Sequence, residues 1–189
     1  MGSDETAQGM PGEAEDVLRF WFSELTPEQW WRAQALDRQI SQRFLDLYHR
    51  LRRKVPESWL AHPRGVLAAV LVLDQFPRNM FRGTAAAFAT DVAARRLTDH
   101  AVSRGFDAGL SVDEKLFLYL PLEHSENPED QARAITLIEA LGNAQYTDFA
   151  RQHKEVIDRF GRFPQRNAAL VRVSTSAEEA FLRQSDQHW

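Results

Sequence analysis

The sequence predicts an all-α protein: one domain of seven to nine helices joined by short loops that proline and glycine mark. Three observations lead there. No stretch alternates apolar and polar residues at period two, and no hairpin dipeptide joins two such stretches. Apolar residues recur instead at helical spacing, as in Leu36, Ile40, Phe44, Leu47 and Leu51. Helix punctuation is frequent, with capping residues and prolines at helix starts and glycines at helix stops. At 189 residues the chain suits one well-packed domain.

Residues 1–13 read as a disordered leader and residues 14–189 as the helical domain. A short aromatic helix is expected at EDVLRFWF, and Thr26-Pro27-Glu28 supplies a cap, a proline at the first helical position and a first-turn acid. The helix from Leu36 ends in the basic run RLRRK before Pro56, with cations near its C-terminus. Pro63 opens VLAAVLVLDQF, apolar almost all round and so the expected central helix. An alanine-rich helix over 84–104 should stop at Gly105. Ser111 and Glu114 form a capping box ahead of KLFLYL, which Pro121 disturbs or ends. Asn127-Pro128-Glu129-Asp130 caps the next helix, with Gly142 after it. A helix from about Thr147 stops at Gly161, and the Thr175–Glu178 capping box starts the last one.

Composition excludes several functions. Without cysteine there are no disulfides, thiolate metal sites or cysteine nucleophiles. A net charge of −4 gives no electrostatic case for nucleic acid or an acidic membrane. No apolar run approaches the ~18 residues of a membrane span, and the N-terminus lacks the basic and apolar regions of a secretory signal. The expectation is a cytoplasmic protein. Glycine-rich phosphate loops and a Gly-x-Ser-x-Gly elbow are absent, and no cofactor or metal is called for.

The run LDQFPRNMFRG at 73–83 has an echo at 157–167, IDRFGRFPQRN. Together with FWF at 20–22, FLYLPLEHSE at 117–126, HKEVIDRFGRFPQRN at 153–167 and STSAEEAFL at 174–182, it resembles a bacterial family, domain of unknown function 924, in the same order over roughly residues 16–182. The resemblance implies a tetratricopeptide-like fold and no established activity. Two positions depart from the family pattern: Gln165 stands where His is usual, and Val171 where Gly is usual.

Candidate site residues fall in three segments. Asp74, on an apolar helix, needs a cation or several N–H donors; Arg78, Asn79 and Arg82 follow it, although Pro77 argues against helical geometry between Asp74 and Arg78. His124, Ser125 and Glu126 end another helix, where His124 and Glu126 could cap, supply two metal ligands or pair in a cleft. His153 lies on an apolar stripe, usually the place of a hydrogen-bonded core histidine, followed by Arg159, Arg162, Arg166 and Asn167. From 151 to 172 there are six basic and two acidic residues, an excess of 6 − 2 = +4.

The leading expectation is a polar cleft that binds a small anionic molecule or an acidic or C-terminal peptide. A second is a hydrolase with His124 or His153 as general base beside Glu126. A third is a structural lattice in which the arginines clamp Asp74, Asp91 or Glu126. The two Arg-Asn turns should converge near His124 if there is a site.

Overall fold

The architecture follows from where the apolar residues fall and where prolines interrupt them. The structure, a computed structural model, describes residues 12–30 and 33–184. Among these there are helices and no strands, and eight α-helical segments reach seven residues or more. The all-α expectation holds.

Helix α1 (Gly12–Arg19) runs into a π-helical turn, Phe20–Glu24, then α2 (Pro27–Trp30) and α3 (Ala33–Leu51) follow. Gly12 and Glu13, assigned to the leader in sequence, open α1; the rest of the leader and Trp31 lie outside the described residues. The stripe Leu36, Ile40, Phe44, Leu47 and Leu51 is buried along α3, as its spacing requires. Beyond α4 (Glu57–Leu60) comes the molecule's centre, where α5 (Pro63–Val70), a π-helical turn (Leu71–Gln75) and α6 (Phe76–Met80) run on continuously. Gly65 lets α5 lie against Trp59, since a Cβ there would collide with the Trp59 carbonyl oxygen. Val66 through Asp74 have no exposed surface.

Pro77 does not end this helix, contrary to the sequence expectation. It lacks the N–H that would reach the Leu73 carbonyl, and the Thr90 hydroxyl donates to that carbonyl at 2.6 Å instead. The same requirement corrects the alanine-rich stretch. Ala85–Phe88 form a 3-10 turn, and α7 (Asp91–Ser103) begins only after Thr90 has left helical geometry to make this bond. Helix α8 (Val112–Glu123) starts at the expected reciprocal capping box and carries Pro121 within it. There α7 supplies a second threonine, Thr98, whose hydroxyl donates to Leu118 O at 2.8 Å.

Helices α9 (Pro128–Glu139) and α10 (Ala144–Phe160) pack in sequence, α9 on α8 and α10 on α9. Asn143 caps α10 and starts it earlier than expected, and Gly161 ends it at φ +68°. A 3-10 turn (Pro164–Arg166) leads to α11 (Ser176–Gln184), begun by the expected Thr175–Glu178 box. No described helix is long and apolar enough to cross a membrane.

Candidate functional site

Three chain segments meet at the buried end of α8. The first is the π-helical turn, which widens the helix by one residue and presents Asp74 from a helix otherwise apolar on every side. Asp74 is wholly buried. Its carboxylate meets His124 Nδ1 at 2.9 and 3.0 Å and accepts from Gln75 Nε2 at 2.5 Å. Arg78, one turn on, lies 3.3 Å from the carboxylate and donates to the Asp74 carbonyl at 2.6 Å. The helical geometry that Pro77 was expected to prevent is therefore present.

Arg78 also binds Asp91, at the start of α7, through two parallel bonds of 3.0 and 3.2 Å. The second segment brings His124, the C-cap residue of α8. The third brings Arg166 from the 3-10 turn, which donates to the His124 carbonyl at 2.9 Å and reaches Asp91 at 3.5 Å. Its guanidinium lies 4.7 Å from the Phe88 ring centroid and 4.5 Å from that of Phe163. Arg78 and Arg166 share Asp91 and both face Phe88, so the two turns of the echo do meet at His124.

Burial pushes the Asp74 carboxyl up, but Arg78, His124 and Gln75 outweigh it and hold the group ionised. Burial lowers the His124 imidazole, against the pull of Asp74. These tendencies conflict, because a positive His124 would help hold Asp74 down. Arg78 is the largest of the contacts that favour the ionised Asp74, and burial is the largest influence on His124, so a neutral imidazole is the state the balance favours. An ionised carboxylate can only accept, so Nδ1 carries the imidazole proton and Nε2 a lone pair. Nε2 makes no hydrogen bond to a described residue and is not enclosed; the side chain is 14% exposed.

His153, buried on α10, sits with its ring centroid 6.2 Å from that of His124. Its Nδ1 donates to the Phe149 carbonyl at 2.9 Å and lies 3.0 Å from Glu123 Oε1. Burial, then His124, Arg166 and Arg78, lower this imidazole to about 3. Burial together with Arg78 lowers Arg166 to about 10, despite Asp91, Glu126 and Asp74.

The remaining candidates are drawn elsewhere. Glu126 does not face either histidine: it holds Arg172 at 2.7 and 3.0 Å and accepts the Phe163 N–H. A base oriented by Glu126 is thereby corrected, and the His124 and Glu126 metal pairing is split. Among the described residues no three His, Asp or Glu groups are placed to hold a metal ion. Ser125 gives its hydroxyl to Asp130 and accepts from Arg95 and the Asn127 N–H, bracing the start of α9. Asn79 and Arg82 bind Asp37 of α3. Asn167 joins Ser174 to Arg172.

Arg162 is bound by Glu178 and the Val173 carbonyl, and Arg159 lies over Phe160 and Phe181. Both line a surface groove of about 510 Å³ at the start of α11, apart from His124. The +4 excess of 151–172 is met largely by acids from other segments: Glu139, Asp91, Glu126 and Glu178. Sequence reasoning passed over Glu123, Phe88 and the bond from Thr90 to the Leu73 carbonyl. Glu123 did leave a signal, as the acid that ends the apolar run FLYLPL.

The family model for a bacterial protein of unknown function, DUF924, matches residues 17–186. The chain belongs to this family. A solved structure of a protein of unknown function from Agrobacterium tumefaciens is 39% identical, with a TM-score of 0.86, and the match covers 92% of this chain and 98% of that one. No curated protein matches the chain. The DUF924 match names no activity, so function rests on the chemistry of the site.

Proposed function

We propose that this DUF924 chain is an enzyme with a proton-transfer site, most simply a hydrolase acting on a small anionic substrate. The observation that carries the reading is the Asp74–His124 pair: a wholly buried carboxylate holds Nδ1 and leaves Nε2 open to solvent with its lone pair. A neutral, oriented imidazole is the usual general base near neutral pH. Its Nε2 takes a proton from water as the oxygen attacks the electrophilic centre of an ester, and charge develops on an oxygen; the ester bond then breaks and Nε2 returns the proton to the departing oxygen. Arg166, fixed by the His124 carbonyl and Asp91, supplies the positive charge beside His124 that favours this oxygen. The tetratricopeptide-like arrangement and a cytoplasmic setting belong to the same proposal.

Binding of an anion or an acidic peptide by the arginines alone has less support, because Arg78, Arg82, Arg162 and Arg172 are each engaged by a carboxylate. That pairing favours a second reading, a structural lattice. The two separate in an assay of the purified protein on chromogenic carboxylate, phosphate and sulfate esters. The enzyme reading expects turnover of one class, with His124→Gln and Asp74→Asn lowering kcat by about 10²–10⁴-fold while circular dichroism is unchanged. No turnover of any class, or turnover equal in both variants, overturns it in favour of the lattice.

A further inference from the structure

Behind the Asp74–His124 pair lies a second acid and imidazole that the reading above does not use. Glu123 precedes His124 on the last turn of α8 and turns inward, 3% exposed. Its Oε1 lies 3.0 Å from His153 Nδ1, and its Oε2 is enclosed with no hydrogen-bond partner among the described residues. The Phe149 carbonyl can only accept, so His153 Nδ1 carries a proton and gives it to that carbonyl, with Glu123 Oε1 alongside. His153 packs edge-on to Phe163 and stands beside His124. Four titratable side chains from three helical segments thus follow one another, Asp74 to His124 to His153 to Glu123, and His124 is the most exposed of them.

We propose that Glu123 and His153 are positioning residues that set the basicity of His124: Glu123 lies against His153, whose ring stands beside that of His124, so ionisation of Glu123 adds a second negative charge on the far side of that ring from Asp74. The inference rests on His124 being the base and names what regulates it. Burial, then the nearby charge of Asp74, pushes the Glu123 carboxyl up to about 8. An orphaned carboxylate oxygen in an enclosed site is costly as an anion and tolerable as an acid. His153, neutral and fixed by Phe149, stands against the carboxyl without neutralising it.

The other charged groups at this end of α8 are accounted for. Asp74 and Arg78 come from the central helix, Asp91 and Arg95 from α7, Asp130 from α9 and Arg166 from the 3-10 turn. Arg95 and Asp130 bind each other, and Arg78 and Arg166 both face Asp91. The α9 side chain that meets the Glu123 backbone, Gln131, is uncharged. Just past the helix end, Glu126 is bound by Arg172. None of these neutralises Glu123.

The test follows the His124 Cε1–H resonance of the full chain from about pH 5 to about pH 10, assigned by its absence in His124→Gln. The expected curve has two inflections, one from the imidazole's own protonation below its ordinary value and one near pH 8 from Glu123. Glu123→Gln keeps the first and loses the second. In wild type, the carboxyl carbon of labelled Glu123 should titrate with the same midpoint as that second inflection, a check that needs no variant. A single inflection, or a second that persists in Glu123→Gln, overturns the proposal. Failure of the enzyme reading shows separately, as absent turnover.

Discussion

Val171 takes the only positive φ found outside glycine among the described residues, +55°, on a β-branched residue 92% exposed. Left-handed backbone costs such a side chain about 1–2 kcal/mol, and nothing in the surface contact offsets it. Val171→Gly should therefore raise stability by about 1 kcal/mol, read as a higher denaturation midpoint; an unchanged or lower midpoint would remove the strain argument. This position was legible in sequence, because glycine is usual there in the family pattern, and the backbone keeps the geometry glycine would adopt. Glu126 was not legible in the same way. Its spacing from His124 suggested a pair, but spacing does not say where a side chain at a helix end points, and Arg172 and the Phe163 N–H claim it.

At the scale of elements, the decisive feature is the π-helical turn at Leu71–Gln75. Sequence periodicity gives the central helix but not the extra residue in its turn, because apolar residues on every side leave no register to read. That residue is what lets Asp74, Arg78 and His124 meet and puts Pro77 inside a continuing helix. The turn depends on Thr90, which supplies the donor that Pro77 lacks. Thr90→Val keeps the shape and removes the hydroxyl, leaving the Leu73 carbonyl buried without a donor. It should cost about 1–3 kcal/mol in chemical denaturation. A loss no larger than that of an ordinary surface change would mean that the helix tolerates Pro77 by other means.

For the whole molecule, the buried titratable groups fix how stability varies with pH. Asp74 is depressed, so its contribution is present above its ordinary value of 3.8 and lost as pH falls towards about 2. His153, lowered to about 3, must be neutral to fold, which adds a penalty as pH falls below 6.5. Glu123 is the opposite case. Raised from 4.5 to about 8, its contribution is complete below 4.5 and lost as pH rises through about 8. Wild type and Glu123→Gln should then show the same offset in stability up to about pH 4.5 and diverge above it. By pH 7 the variant should have gained about 3 kcal/mol on wild type; parallel stability curves would contradict this. The helical class and the meeting of the two Arg-Asn turns were readable from the chain. The charge balance was not, because four of the six basic residues of that segment pair with acids outside it, Glu139, Asp91, Glu126 and Glu178.

The central claim is that Asp74 holds His124 as a neutral base with Nε2 free. Long-range ¹H–¹⁵N correlation of the imidazole at neutral pH tests it most directly, because the two ring nitrogens differ when only one is protonated. The prediction is a neutral His124 ring protonated on Nδ1, with that preference lost in Asp74→Asn. A ring protonated on both nitrogens, or on Nε2 alone, would contradict the account.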